Sequence, residues 1–474
     1  MRKFAGACEA AVAPRFLLAL LGCALLLLTG CSGGSGRQDG SAGRSGESRP
    51  APRDRDGRSE SGTGDFDKDG YDDFATVEVD RASGESGGRL VVVPGSRRGL
   101  DAARATRDDG GYSAPLLRGD LDGDGFTDLV ATRAPTRPGR KTEPGAAYQA
   151  VVLFGGMNGL GKPVAVTAPR QFLAVAAADV DGDGALDLID RGMGAQQKDP
   201  ERIPGRIAYG PFGRNGAPAR LVEQDWEAAG GGATSGDFDA DGFDDLLFTG
   251  SPPYEEDEEP GSDPVPATAY FRGSPDGPVR ADPPQGLDNA TEDGALTPLT
   301  GDVNGDGVTD LLVGGGGVGS PAAGLDPGQL TLVHGAPGGP GTGRRNTVLS
   351  QETPGIPGDG QGKDLFGAVS GTGDVNGDGH PDLVIDTPGE DKAGRFTLLP
   401  GAGDGSGPDP SRATAFDAAT YGGASISATV PLLDVNGDRF TDVVAETPDG
   451  FLLFLGGAAE FPAEQPTLTE RVTR

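Results

Sequence analysis

Cysteine is nearly absent: the chain of 474 residues holds Cys8, Cys23 and Cys31 and no others. With none beyond residue 31, a disulfide framework for the rest of the chain is excluded. Histidine is scarcer still, with His334 and His380 alone, which leaves little for histidine-based acid–base catalysis. One tryptophan, Trp226, and seven tyrosines offer few aromatic platforms for stacking a sugar. Positive charge is also short. Forty Lys and Arg face 72 Asp and Glu, for a formal charge of −32. A surplus of that sign excludes nucleic acid as a partner, because its phosphates would be repelled. Sustained helical periodicity is missing from the repeated part of the chain.

Long hydrophobic runs are missing too, apart from one near the start. A basic segment, MRKFAGACEAAVAPR, leads into FLLALLGCALLLL, which is too short to span a bilayer comfortably. The run closes on Leu28-Thr29-Gly30-Cys31, which resembles a bacterial lipobox. Residues 1–30 are therefore expected to be a lipoprotein signal peptide. Cys31 would carry the lipid, anchoring the chain to the outer, extracytoplasmic face of the membrane. An ordinary secretory signal followed by a chance cysteine is the alternative. A lipidated Cys31 leaves no disulfide partner. From residue 31 to 59 the chain is Gly, Ser, Arg, Asp and Pro with almost nothing apolar. It cannot bury a core and is expected to be a flexible tether, with a folded domain over residues 60–474.

What is plentiful is glycine, proline and aspartate. The 84 Gly and 39 Pro come near the level that usually marks disorder. The aspartates argue otherwise, because they recur in order. A nine-residue pattern starts at Asp65, Asp120, Asp179, Asp237, Asp302, Asp374 and Asp434, about every 60 residues, a period that marks an array of supersecondary units. Positions 1, 3, 5 and 9 hold an oxygen-bearing side chain every time. In the first loop these are Asp65, Asp67, Asp69 and Asp73. The second has Asp120, Asp122, Asp124 and Asp128, and the third Asp179, Asp181, Asp183 and Asp187. The fourth has Asp237, Asp239, Asp241 and Asp245. Asparagine takes the third position in the last three: Asp302, Asn304, Asp306 and Asp310; Asp374, Asn376, Asp378 and Asp382; Asp434, Asn436, Asp438 and Asp442.

Each loop runs straight into a short apolar stretch, such as DLVAT or DLLFT. A second follows, such as RLVVVPGS, QAVVLFGG or RFTLLPGA. These β-branched and aromatic runs closed by Gly or Pro read as strands. One more extended stretch before each loop and one after the second run give about four strands per unit. Seven such units predict an all-β fold, a seven-bladed β-propeller with calcium-binding hairpin loops. A linear solenoid is the structural alternative.

The loop chemistry points to a hard divalent cation. Carboxylates this close repel one another unless something neutralises them. Glycine at position 6 lets the chain curl around an ion, position 7 can offer its carbonyl, and the ninth aspartate closes the cage from the next strand. Calcium tolerates such a flexible set of oxygens better than magnesium does. EF-hands begin similarly but need an acid at position 12. That position is Thr76, Ala131, Asp190, Phe248, Val313, Ile385 and Ala445, in stretches that read as strands. Up to seven structural calcium ions are expected, although seven plain Asp/Gly-rich turns would give the same sequence. Arg439 replaces the position-6 glycine in loop seven, so that site is expected to be weak or empty.

The stretch LFGAVSGTGDVNGDGHPDLVIDTPGE, Leu365 to Glu390, resembles the FG-GAP repeat of the integrin α-chain N-terminal propeller. Phe366-Gly367 stands for the first element and Asp386-Thr387-Pro388-Gly389 for the second. The resemblance implies a seven-bladed propeller with calcium in the first hairpin of each blade. The function expected is a membrane-tethered binding or adhesion scaffold for an extracellular protein. A lectin-like, glycan-binding propeller is the alternative, and a hydrolase or lyase is a more distant one. The acidic stretch from Ser251 to Pro264 reads as a recognition loop for a basic partner or as a solvated connection.

Overall fold

The computed structural model describes residues 64–78, 87–134, 148–192, 204–226, 231–250, 268–284, 287, 298–315, 328–362, 364–368, 370–417, 420, 426–428, 431–447, 450–458 and 467–468. The expected signal peptide (1–30), Cys31, the tether (31–59) and the acidic stretch 251–264 lie outside the described residues. Among the described residues no helix is long and apolar enough to cross a membrane.

The described residues form six antiparallel sheets. The first holds β1 (Phe74–Glu78), β2 (Gly88–Val93), β3 (Thr106–Gly119), β4 (Asp128–Arg133), β5 (Gln149–Leu153) and β6 (Val164–Ala165). Five four-stranded sheets follow. The second holds β7 (Ala174–Ala178), β8 (Asp187–Asp190), β9 (Gly205–Tyr209) and β10 (Arg220–Gln224). The third holds β11 (Gly231–Gly236), β12 (Asp245–Gly250), β13 (Thr268–Arg272) and β14 (Val279–Ala281). The fourth holds β15 (Leu299–Gly301), β16 (Asp310–Gly315), β17 (Gln329–Val333) and β18 (Thr347–Leu349). The fifth holds β19 (Ser370–Gly373), β20 (Asp382–Thr387), β21 (Arg395–Leu399) and β22 (Thr414–Asp417). The sixth holds β23 (Ser427–Ala428), β24 (Val443–Thr447), β25 (Gly450–Phe454) and β26 (Thr467–Leu468). Every sheet keeps its strands in chain order, and the apolar runs after each loop fall on its strands, whereas the stretch expected before loop one lies largely outside the described residues and shows no strand from residue 64 into the loop.

The architecture is an all-β propeller, but it shows five separate four-stranded blades, not the expected seven. The reason lies in β3. This strand runs unbroken for 14 residues. Its first half pairs with β2 from Thr106 to Tyr112, and its second half pairs with β4 from Tyr112 to Gly119. One continuous ladder thereby joins the first two loop-bearing units into one six-stranded sheet.

Packing follows the repeat more closely than hydrogen bonding does. The core is divided into clusters, each set between two consecutive units. Phe66, Ala75, Leu129 and Leu153 seal the first unit to the second, and Val152, Phe172, Leu188 and Ala208 the second to the third. The last joint closes the ring: Phe74, Val91 and Leu100 pack against Val435, Val444 and Leu453, with Phe74 edge-on to Phe451 at 4.9 Å between ring centres. Alternating strand residues supply these apolar faces.

At six of the joints a backbone hydrogen bond ties the turn beside each loop, just past its unit's third strand, to the preceding loop. Ser96 N–H donates to Val435 O at 3.0 Å, Gly156 to Phe66 O at 3.0 Å and Phe212 to Leu121 O at 2.7 Å. Ser274 donates to Val180 O at 3.0 Å, Ala336 to Phe238 O at 2.9 Å and Gly457 to Val375 O at 2.9 Å. Position 8 adds a second bond at some joints, as from Asp72 N–H to Asp434 O at 3.0 Å and from Thr441 N–H to Asp374 O at 2.9 Å. Between loops five and six, position 8 is Pro381, which has no N–H to give. Arg344 spans that joint instead, donating to the Gly405 and Ser406 carbonyls at 3.1 and 2.7 Å.

Candidate metal centres

Loops two to seven each join the first strand of their unit to the second, loop one leads straight into β1, and each loop's own carboxylates shape it. The first aspartate accepts from N–H groups at positions 4 to 6. Asp65 takes Asp69 N and Gly70 N at 3.2 and 2.9 Å, and Asp374 takes Gly377 N, Asp378 N and Gly379 N at 2.7, 3.1 and 3.0 Å. The fifth aspartate accepts from position 7, as Asp241 does from Phe243 N at 3.1 Å and Asp438 from Phe440 N at 3.0 Å. These local bonds hold the carboxylates on the inside of the curl. Two positions turn left-handed. Position 6 is glycine in six loops and Arg439 in the seventh, at φ 76°. Position 4 does the same even where it is Lys68 (φ 58°) or Ala240 (φ 60°).

The ninth aspartate opens the following strand in five loops, directly precedes it in loops one and seven, and is buried in every loop. In six loops one oxygen accepts from the N–H at position 2, as Asp128 does from Leu121 at 2.9 Å and Asp442 from Val435 at 3.0 Å. In loop four Tyr270 OH takes that place on Asp245 at 2.7 Å. The other oxygen accepts from a glycine just past the third strand: Gly95, Gly155, Gly210, Gly273, Gly335, Gly401 or Gly456. This aspartate is therefore a clamp between the loop and the next turn as well as an expected ligand.

The loops differ in which carboxylates converge. In loop one Asp65, Asp67 and Asp73 offer oxygens within 4.8 Å of one another, and in loop two Asp120, Asp122 and Asp128 do. Asp69 and Asp124 stand outside those trios. In loops three and four the trios are Asp179, Asp181, Asp183 and Asp237, Asp239, Asp241, with Asp187 and Asp245 kept as clamps. In loops five to seven Asn304, Asn376 and Asn436 accept at the third position from Asp306 N, Asp378 N and Asp438 N at 2.8, 2.8 and 2.9 Å.

The acids are short of counter-charge. Burial pushes the carboxyls of Asp73 and Asp128 up to about 7, those of Asp187, Asp245 and Asp442 to about 8, and that of Asp382 to about 6. At the third position Asp67 Oδ1 and Asp181 Oδ1 are buried with no hydrogen-bond donor. A sealed carboxylate oxygen without a donor is costly unless a cation reaches it. The donor set, all hard oxygens, and these orphaned atoms both fit a divalent cation of the calcium kind.

Several contributors were not legible from the pattern. Position 8 is aspartate in loops one and four. Asp72 and Asp244 each accept from the first residue of the preceding loop, Asp434 N at 3.0 Å and Asp179 N at 2.8 Å. Arg118, fully buried behind loop one, donates to Asp73 O at 3.2 Å, and burial lowers its guanidinium to about 10. Arg214, Arg220 and Arg272 reach loop carboxylates. Both histidines touch the loops: His380, in loop six, donates its backbone N–H to Asp378 at 3.0 Å, and His334, just past β17, lies buried 3.4 Å from the Asn304 amide nitrogen of loop five. Trp226 is buried, its Nε1 donating to Asp190 O at 3.0 Å, and it packs on Phe248 and Phe271.

A ring of antiparallel sheets with an acid-lined loop at the first hairpin of each unit defines a repeat-built β-propeller. Comparison with known proteins names the repeat. Residues 120–189 match the FG-GAP-like repeat family and residues 366–406 the FG-GAP repeat family, so two stretches of this all-β propeller match FG-GAP repeats. No curated protein matches the chain significantly. Among solved structures, a lectin of Agrocybe aegerita, described as recognising non-reducing terminal N-acetylglucosamine, has a TM-score of 0.47. It is 16% identical, over 81% of this chain and 88% of its own.

Proposed function

We propose that the chain is a calcium-stabilised propeller held on the outer face of the cell membrane by lipid on Cys31, where it serves as a binding scaffold for an extracellular protein. The observation that carries the reading is the set of sealed third-position carboxylate oxygens in loops whose backbone is already curled. Calcium would supply the missing positive charge there, held by positions 1, 3 and 9 in loops one and two and by positions 1, 3 and 5 in loops three and four, where the ninth aspartate fixes the cage to the next strand. The six-stranded sheet would serve as two adjacent units of the ring, joined where β3 passes from β2 to β4.

The metal's part is structural. Extracellular calcium modules bind at about 10⁻⁴ to 10⁻³ M, so about 1 mM calcium adds roughly 0.4–1.4 kcal/mol per site. Seven ions would stabilise the ring by roughly 3–10 kcal/mol, comparable to the net stability of a whole domain. They would also bring the charge from −32 to about −18, easing self-repulsion. Scaffold rather than enzyme is favoured by the scarcity of histidine, one of the two, His334, being buried against Asn304. A glycan reading is weakened because the one tryptophan is core. Thermal melting of the full-length chain tests the proposal: excess chelator should lower Tm by roughly 4–12 °C, and an unchanged melt would refute it. Capture of surface proteins with calcium but not with chelator would support the scaffold role; equal capture in both would count against calcium dependence.

A further inference from the structure

The seven loops share one backbone but differ in what stands against their third position. The Asp122 and Asp239 side chains are 6% and 0% exposed. Asp122 Oδ2 and Asp239 Oδ2 are sealed from water; each is met by one guanidinium, Arg214 and Arg272 respectively. Arg214 also pairs with Asp124, and Arg272 lies 3.7 Å from Asp241. In loop three Arg220 stands 3.2 Å from Asp181. Burial comes first among the influences that raise the carboxyls of Asp122, Asp181 and Asp239, and the arginines oppose it.

One place in the repeat controls this. It is the residue before the glycine that donates to the ninth aspartate. In loop four it is Arg272 itself. In loops two and three it is Phe154 and Tyr209, and the guanidiniums of Arg214 and Arg220 lie over those rings at 5.1 and 3.6 Å, a favourable seat for a cation. In loops one, six and seven it is Pro94, Pro400 and Leu455. Among the described residues no Lys or Arg forms an ion pair with those three loops. Loop five has His334 there, 3.5 Å from Asp310, and an amide rather than a carboxylate at position 3.

We infer that Arg214, Arg220 and Arg272 are resident cations that hold the third ligand position of loops two to four, dividing the loops into two classes of calcium site. The inference rests on the calcium reading proposed above. In loops two to four calcium enters only by displacing a guanidinium, and the loop keeps its shape without metal. In loops one, five and six the metal is the first strong counter-cation to arrive, and it binds more tightly; loop seven, with Arg439 at position 6, stays the weak site its sequence leads one to expect.

Equilibrium dialysis with calcium alone, on the full-length wild type and on the R214M/R220M/R272M variant, separates the outcomes. Methionine keeps an apolar stem and removes the charge. The wild type should show two classes of site, and the variant should move three weak sites about tenfold or more towards the tight class, since each hydrogen bond lost was to a charged group. The reverse graft, P400R, should weaken one tight site by a similar factor. A single class of sites, unchanged in both variants, overturns the inference while leaving the calcium reading standing. Calcium binding by none of the chains overturns both. If the triple variant fails to melt cooperatively, P400R decides alone, and unaltered binding there overturns the inference.

Discussion

Loop four and loop six have the same shape and opposite charge economy. Both first aspartates gather the loop N–H groups, and both have a left-handed residue at positions 4 and 6. In both, the ninth aspartate clamps the glycine after the third strand, Gly273 or Gly401, at 2.9 Å. Yet Asp239 in loop four has Arg272 against it, whereas Asn376 in loop six accepts from Asp378 N and faces no described cation. The lesson is that the Asp/Gly pattern fixes the backbone, while one residue on the neighbouring strand fixes the electrostatics. A loop can look like a metal cage in sequence and still carry its own positive charge.

The comparison can be broken first by removing metal. Chelation should cost the whole molecule roughly 3–10 kcal/mol. Hydrogen exchange should show the loss in loop six, with amides of loop four changing least. Uniform deprotection of all seven loops would erase the distinction. Next in size is the clamp the two loops share. Asp382→Ala leaves Val375 N–H and Gly401 N–H buried without an acceptor, and Asp245→Ala strands Gly273 N–H and Tyr270 OH. Each should cost about 3–5 kcal/mol in urea unfolding, with or without calcium. A loss seen only in calcium would make the ninth aspartate a ligand and nothing more.

Smaller effects sharpen the picture. Arg439 holds a φ of 76°, where the other six loops have glycine, so Arg439→Gly should raise stability by about 1 kcal/mol. A loss would mean that its side chain makes a stabilising contact. Smallest of all, Arg272→Met should cost under about 1 kcal/mol without calcium, because the guanidinium is nearly half exposed. Its larger effect should be on calcium affinity at loop four.

Much of this was legible in the sequence, for a physical reason. Strand runs such as RLVVV and RFTLL are dense in β-branched and aromatic residues, and they became β2 and β21. The nine-residue pattern marked every loop because its turns depend on Asp and Gly at fixed offsets. The number of separate sheets was not legible, since whether β3 pairs on both sides depends on where two units meet. Nor were the arginines. Arg214 lies 90 residues from the Asp124 it bonds and comes from the next unit, so no spacing rule links them. The ninth aspartate was legible as a ligand but not as a clamp, because its glycine partner lies across the third strand.

Crystals grown in calcium, with data collected for anomalous scattering, test the central claim most directly. The account predicts calcium peaks among the aspartates of loops one, five and six at the lowest concentrations. Peaks in loops two to four should follow at higher concentrations, with Arg272 swung away from Asp239. A map without a peak at any loop, and with Arg272 still paired, would contradict it.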